Sequence, residues 1–285
     1  PLIIGLTIVG FGTSAPEMLV SAVASWQENP GLAIGNAIGS NITNIALILG
    51  ATSLIAPLSV HSSALRREFP VLLLIMFVAL GLMLDGELGR MDGALLGIGL
   101  GAMLIWLVRL GMRDRRDPMQ SEFDAEIPSH MPMLHALLWL VLGFAVLVAG
   151  SRLLVWGAVN VAQAFGISDL VIGLTIVALG TSLPELAVSV MSALKKEHDI
   201  AMGNVIGSNM FNLLGVLAMP GLIAPGLFPP EVLTRDFPVM IGLTLMVAAM
   251  GYGLRGPGRI NRLEGAVLLC AYIAYQTLLY FALFS

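Results

Sequence analysis

Two glutamates stand inside long apolar segments with the same polar neighbours. Gly-Thr-Ser-Ala-Pro-Glu occupies 12–17, and Gly-Thr-Ser-Leu-Pro-Glu occupies 180–185. Each is followed at the same distance by a run of amides and hydroxyls, GNAIGSNITN at 35–44 and GNVIGSNMFN at 203–212. A carboxylate in hydrocarbon is costly unless it is paired, so an intramembrane acid marks an ion or proton pathway by default. A single such acid also reads as a structural hydrogen-bonding group. Two copies with matched Thr, Ser, Pro and Asn neighbours argue for a shared site at a repeat interface.

The chemistry available is oxygen chemistry. Pro16 and Pro184 lack an N–H, so each is expected to kink or break its helix and free the carbonyl of Gly12 or Gly180. In lipid such freed groups survive only when buried in protein or lining a polar cavity. Ser40 and Asn44 are four residues apart, as are Ser208 and Asn212, so each pair shares a helix face. With Glu17, Glu185, Thr13, Ser14, Thr181 and Ser182 they offer carboxylate, carbonyl, hydroxyl and amide oxygens. Hard cations such as Ca²⁺ and Na⁺ take this donor set. Neither motif holds a His or Cys, which argues against zinc, copper or iron. Asn36, Asn41, Asn204 and Asn209 read equally as ligands or as ties between helices. Gly35, Gly39, Gly203 and Gly207 form small-residue pairs that let helices approach closely.

Glu17 and Glu185 together give the site a charge of −2. One Ca²⁺ neutralises it, and so do two monovalent cations or two protons. An empty, ionised pair is costly in a low-dielectric barrier, so occlusion should require bound ions. That favours obligatory exchange over leak. A cation channel on the same site would instead conduct without a counter-ion. An intramembrane hydrolase would need a nucleophile–base pair or a metal centre, which the motifs lack; no enzyme is expected.

The elements that carry these residues are membrane helices. Hydrophobic residues make up 57% of the chain and charged residues 11%, with a mean hydropathy of +0.91; a soluble domain carries about 25% charged residues. Nothing resembles a nucleic-acid surface, and the single cysteine, Cys270, excludes a disulfide framework. A span needs ~20 apolar residues, and the sequence predicts nine: 2–26, 31–56, 69–84, 91–111, 133–161, 169–194, 199–224, 237–254 and 263–284. The two copies align at an offset of 168 without a gap from Gly5 to Pro70, with 29 identities in 66 pairs. The second copy is preceded by the apolar segment 133–161 and the first by no counterpart. The comparison predicts a ten-helix whole, five plus five, whose first helix this chain lacks. Five is odd, so the second half enters the membrane inverted.

The expected halves are 1–111 and 133–285, joined by the polar loop 112–132. With that loop in the cytoplasm, Arg66, Arg67, Arg109, Arg113, Arg115, Arg116, Lys195, Lys196, Arg255, Arg259 and Arg262 fall inside, and Arg90 and Arg235 fall outside. Eleven against two follows the positive-inside rule and puts the C-terminus outside. Arg-Arg-Glu-Phe-Pro at 66–70 and Thr-Arg-Asp-Phe-Pro at 234–238 read as helix starts with an acid near the N-terminal dipole.

The doubled G-T-S-x-P-E and G-N-x-x-G-S-N motifs resemble the two alpha-repeats of the cation/calcium exchanger superfamily, nearest to bacterial calcium/sodium antiporters and sodium/calcium exchangers. The resemblance implies an all-helical, ten-helix inverted-repeat membrane fold and Ca²⁺/Na⁺ antiport by alternating access in a bacterial inner membrane. The same site offers H⁺/Ca²⁺ or K⁺-dependent exchange as alternatives. Glu17 and Glu185 match the acids that bind Ca²⁺ and share in binding Na⁺. Thr13 and Thr181 match donors of backbone oxygens, Ser14, Ser182, Ser40 and Ser208 match hydroxyl ligands, and Asn44 and Asn212 match the central pair. Gly10 and Ala178 match backbone-carbonyl ligands, Gly10 standing where alanine is usual. Several exchangers carry aspartate where this chain has Asn212. Gly39 and Gly207 stand where proton/calcium exchangers place a glutamate. Partners are then the two ions and the lipid bilayer, with no nucleic acid, no obligatory protein partner and no organic cofactor.

Overall fold

The structure is a computed structural model that describes residues 10–59, 63–113, 132–252 and 258–282. Among these residues the helices are α1 (Gly10–Trp26), α2 (Pro30–Ile55), α3 (Ser63–Leu82), α4 (Arg90–Arg113) and α5 (Met133–Phe165). The second repeat continues with α6 (Asp169–Thr181), α7 (Leu183–Leu194), α8 (His198–Ile223), α9 (Phe237–Tyr252) and α10 (Arg262–Ala282). Five stretches are long and apolar enough to cross a membrane: Pro30–Ile55, Arg90–Arg109, His198–Ile223, Val232–Gly251 and Arg262–Ala282. α6 and α7 together make a sixth, bent by 44°. Residues 2–9 of the first expected span, most of the linker 112–132, and Arg115, Arg116 and Arg255 lie outside the described residues.

Local chemistry sets the boundaries. Pro30 opens α2 at its first turn, where a missing N–H costs nothing. Ser168 caps α6, its Oγ accepting the Val171 N–H at 3.4 Å. Gly166 closes α5 in the left-handed region with φ 65°, a conformation without penalty only for glycine. The two proline-bearing helices differ from each other. α1 runs unbroken through Pro16, whereas the second copy stops at Thr181, turns at Ser182 (φ −85°, ψ 5°) and restarts at Leu183. The expected discontinuity is therefore present in the second copy alone. Pro184 falls in the first turn of the new helix, where no ladder bond is lost, while Pro16 removes one bond from an otherwise intact ladder.

Two short antiparallel ribbons report the relative direction of the halves. Leu58–Ser59, after α2, pairs with Arg259–Ile260, between α9 and α10. Glu87–Leu88, between α3 and α4, pairs with Gly226–Leu227, after α8. The first ribbon therefore lies at the end of the bundle where α2 and α9 finish, and the second where α3 and α8 finish. Each ribbon joins a loop of one repeat to a loop of the other. This arrangement requires the second half to run inverted, as the parity of the helix count predicts.

α2 and α8 form the centre. Leu32–Ile42 and Asp199–Phe211 are buried on every face, as befits helices packed on all sides. They share one core with α3, α4, α9 and α10 that includes Ile38, Ile42, Phe69, Phe211, Phe237 and Leu268. A smaller cluster joins α5, through Val155, Ala158 and Ala162, to Val20 and Ala24 of α1 and to Leu32, Ala33, Ile172 and Val177. The two repeats interleave through these contacts.

α2 crosses α6 at van der Waals limits. A Cβ on Gly39 would lie 2.7 Å from Leu174 Cα and 2.8 Å from Ala178 Cβ, and one on Gly173 would lie 2.9 Å from Gly35 Cα. Glycine at these positions lets the two backbones touch. Gly207 meets no described atom within 4 Å; the stretch equivalent to Gly173–Ala178 is 5–10, mostly outside the described residues.

The expected helix start at 234–238 is also an internal tie. Asp236 is fully buried at the head of α9 and accepts from Arg235 Nε at 2.7 Å and Nη2 at 3.1 Å. Tyr275 Oη of α10 donates to the same carboxylate at 2.9 Å. Losing one bond to a buried charge costs about 1–3 kcal/mol, so Tyr275→Phe lowers the melting temperature of the detergent-solubilised protein by several degrees. An unchanged melting curve would show that this bond contributes nothing.

Candidate cation site

The polar runs of the two repeats meet in the middle of the bundle. Glu17 and Glu185 are both 0% exposed, and each is reached by hydroxyls tied to the other repeat, Glu17 by Ser182 and Glu185 by Ser208, which contacts Thr13. Thr13, Ser14, Ser40, Asn44, Thr181, Ser182, Ser208 and Asn212 are buried around them. Ala178 is buried where α6 passes Gly39, and Gly10 is the first described residue of α1. Several hydrogen bonds cross between repeats in this region. Ser182 Oγ donates to Glu17 Oε1 at 3.4 Å, and Asn44 Nδ2 donates to Asn209 Oδ1 at 3.0 Å. Ser40 and Thr181 hydroxyls lie 3.5 Å apart, and those of Thr13 and Ser208 lie 3.4 Å apart. Within the second repeat Ser208 Oγ donates to Glu185 Oε1 at 3.4 Å.

Backbone geometry aims these groups. α2 widens to π-helical spacing over Thr43–Ile48, and α8 does the same over Asn212–Val216. A third widening, Gly173–Val177, comes just before Ala178. Local π turns re-aim side chains and often occur at functional positions. Here they carry Asn44 and Asn212 at the ends of the two polar runs.

Several buried oxygens and one amide nitrogen have no protein partner. Glu17 Oε2, Glu185 Oε2, Ser14 Oγ, Asn44 Oδ1 and both amide atoms of Asn212 make no hydrogen bond. Buried polar atoms are usually satisfied, so each such atom calls for an explanation. An acidic, oxygen-only cluster with open lone pairs fits a hard cation as its cargo. Among the described residues, no group of three or more His, Cys, Asp and Glu side chains is placed to hold a metal ion.

The repeats are not in identical states. Ser182 bonds to Glu17, while its counterpart Ser14 is unpartnered. Asn44 is engaged by Asn209, while its counterpart Asn212 is free. Asn209 Nδ2 also reaches the Asn41 carbonyl at 3.4 Å, which makes Asn209 a tie between α8 and α2. The Asn41 amide has no partner. Two functional positions escape a reading of the motifs alone. Ser21 and Ser189 are fully buried one turn beyond each glutamate, and each accepts an amide N–H from the polar run of its own repeat. Their signal is a polar residue kept at the repeat offset four positions after the acid.

Comparison with known proteins agrees with this geometry. A family profile described as sodium/calcium exchanger protein matches residues 1–109 and 135–281. The chain belongs to the sodium/calcium exchanger family. A protein of Alkalimonas amylolytica named as a candidate antiporter, CaxA, is 50% identical over 98% of this chain and 88% of its own length. The sodium/calcium exchanger MaX1 of Methanosarcina acetivorans is 31% identical over 98% of this chain and 89% of its own. The solved structure of the sodium–calcium exchanger NCX_Mj soaked with Na⁺ and Sr²⁺ superposes with a TM-score of 0.71 at 35% identity, covering 96% of this chain and 85% of that one. The chain is thus a membrane ion exchanger of this family and has the exchanger fold. Its family is one of transporters, not enzymes.

Proposed function

We propose that this protein is a secondary antiporter that exchanges Ca²⁺ for Na⁺ through one site shared by its two repeats. The observation that carries the reading is the pair of fully buried glutamates, one from each inverted repeat, each with an unpartnered carboxylate oxygen. Glu17 and Glu185 bind the ion. The hydroxyls of Ser14, Ser40, Ser182 and Ser208, the amides of Asn44 and Asn212, and main-chain oxygens at Gly10, Thr13, Ala178 and Thr181 complete its shell. Relatives named sodium/calcium exchanger support both ions as cargo.

Charge balance gives the coupling its logic. Two carboxylates buried away from water repel each other, and taking them uncompensated through an occluded state is costly. One Ca²⁺ or two Na⁺ remove that cost, so the site changes its exposure when loaded. α5, attached to the core mainly through its small contact with α1 and α6, is the element placed to slide. The rest of the two halves, 1–111 and 133–285, stays packed around the site as the core against which α5 moves, with 112–132 as the cytoplasmic linker and the C-terminus outside. An Escherichia coli relative, 41% identical over 98% of this chain, is named an inner membrane protein. That name supports the bacterial inner membrane as the location, with Ca²⁺ exported on inward Na⁺.

The test is ⁴⁵Ca²⁺ uptake by proteoliposomes loaded with Na⁺ and diluted into Na⁺-free buffer, beside vesicles holding only a pH gradient. Uptake should require the outward Na⁺ gradient. Uptake driven by the pH gradient alone would replace Na⁺ with H⁺ as the coupling ion.

A further inference from the structure

Asn36 and Asn204 occupy equivalent places in the two polar runs, and their amides are used in the same way. Asn36 Nδ2 donates to the Glu17 main-chain carbonyl at 3.1 Å and to Ser21 Oγ at 3.1 Å. Asn204 Nδ2 donates to the Glu185 carbonyl at 3.2 Å and to Ser189 Oγ at 3.1 Å. On the other side of each amide the partner comes from the opposite repeat. Thr181 Oγ1 lies 3.1 Å from Asn36 Oδ1 and shares its one proton between that atom and the Val177 carbonyl one turn back, also at 3.1 Å, and Thr13 Oγ1 donates to Asn204 Oδ1 at 3.4 Å. A carbonyl only accepts, so the bond to each glutamate carbonyl fixes which end of the amide is nitrogen. Ser21 passes the chain on by donating to the Ala33 carbonyl of α2 at 3.3 Å.

We infer that Asn36 and Asn204 are positioning residues that lock the glutamate-bearing turn of each repeat to the threonine of the other. This rests on the cation-site reading above and adds two residues and a wiring to it. Both N–H donors of each amide are committed to protein and each Oδ1 already accepts a hydroxyl, whereas the Asn212 amide is wholly unpartnered. Asparagines of the same two runs therefore do opposite jobs. Asn212 is open to cargo, and Asn36 and Asn204 are committed to protein. Satisfied buried networks of this kind specify a single geometry, because every alternative leaves a polar atom unpaired. The wiring is crossed: Asn36 joins Glu17 to Thr181, and Asn204 joins Glu185 to Thr13. A displacement of one threonine is transmitted to the glutamate of the other repeat, so the two halves of the site keep a common frame.

A double-mutant cycle on ion affinity tests the wiring. ⁴⁵Ca²⁺ and Na⁺ KM values and kcat would be measured in proteoliposomes for Asn36→Ala, Thr181→Val, Thr13→Val and both double variants, each first shown to be monodisperse. Asn36→Ala should raise KM for both ions by about tenfold, the loss expected for one or two buried hydrogen bonds, with a smaller fall in kcat. Adding Thr181→Val should cost little more than either single change, because the two residues act through one bond. Adding Thr13→Val should multiply the effects, because Thr13 belongs to the other bracket. Ser21→Ala, which removes one of three bonds, should give an intermediate KM and keeps the test open if Asn36→Ala misfolds. KM values within twofold of wild type in Asn36→Ala or Ser21→Ala would overturn the inference. So would multiplicative effects of Asn36→Ala with Thr181→Val. Failure of wild type to take up Ca²⁺ would instead overturn the cation-site reading.

Discussion

Glu17→Gln should abolish Na⁺-driven Ca²⁺ uptake and weaken equilibrium Ca²⁺ binding by about two to three orders of magnitude, and Glu185→Gln should do the same. Removing one partner of a buried charge interaction costs about 3–5 kcal/mol, and every 1.4 kcal/mol is about tenfold in affinity. Fold stability should respond in the opposite direction. Both carboxylates are fully buried and each has an oxygen without a protein partner. Neutralising one removes a desolvated charge, so the variants should melt no lower than wild type in ion-free buffer. Added Ca²⁺ should raise the wild-type melting temperature, since a ligand that binds only the folded state stabilises it, and should leave the variants unmoved. A variant that still transports would remove its glutamate from the site. Lower stability in ion-free buffer would make the glutamate a structural group.

Gly39→Val should lose transport for a different reason. The first side-chain atom would fall 2.7 Å from Leu174 Cα and 2.8 Å from the Leu174 carbonyl oxygen, both backbone, and 2.8 Å from Ala178 Cβ. None of these is the free end of a flexible side chain, so α2 and α6 must separate. Ser40, the next residue, sits 3.5 Å from Thr181 of the other repeat, and that contact opens with the crossing. Overpacking costs roughly 1–3 kcal/mol. The melting temperature should therefore fall by several degrees while KM for Ca²⁺ rises steeply. Tolerance of valine at Gly39 would show that the helices do not cross as closely as described.

The pairing of the two motifs, the inversion of the halves and the buried position of both glutamates were legible in the chain. They follow from residue type and from a repeat offset, and both are properties of sequence. What was not legible depends on what the other repeat places opposite a given side chain. An asparagine amide is both donor and acceptor, so nothing local separates Asn36, engaged by Glu17, Ser21 and Thr181, from Asn212, which has no partner. The difference between Ser14 and Ser182 is also invisible in near-identical motifs. Two inverted copies cannot both face the same side of a membrane, so a transporter in any one state must hold them in different conformations. Arg235 and Asp236 mark the start of α9 as their sequence suggests, but their burial depends on Tyr275 arriving from α10. The ribbons at Leu58–Ser59 and Glu87–Leu88 carry no strand pattern, being only two residues long.

The central claim is one cavity that holds the two cargo ions in turn. Calorimetric titration of the purified chain with Ca²⁺ at several fixed Na⁺ concentrations measures it directly. One Ca²⁺ should bind per chain, with an apparent Kd that climbs without limit as Na⁺ is raised and an unchanged stoichiometry. A Kd that reaches a plateau, or Ca²⁺ binding indifferent to Na⁺, would mean that the ions occupy separate sites and would contradict the account.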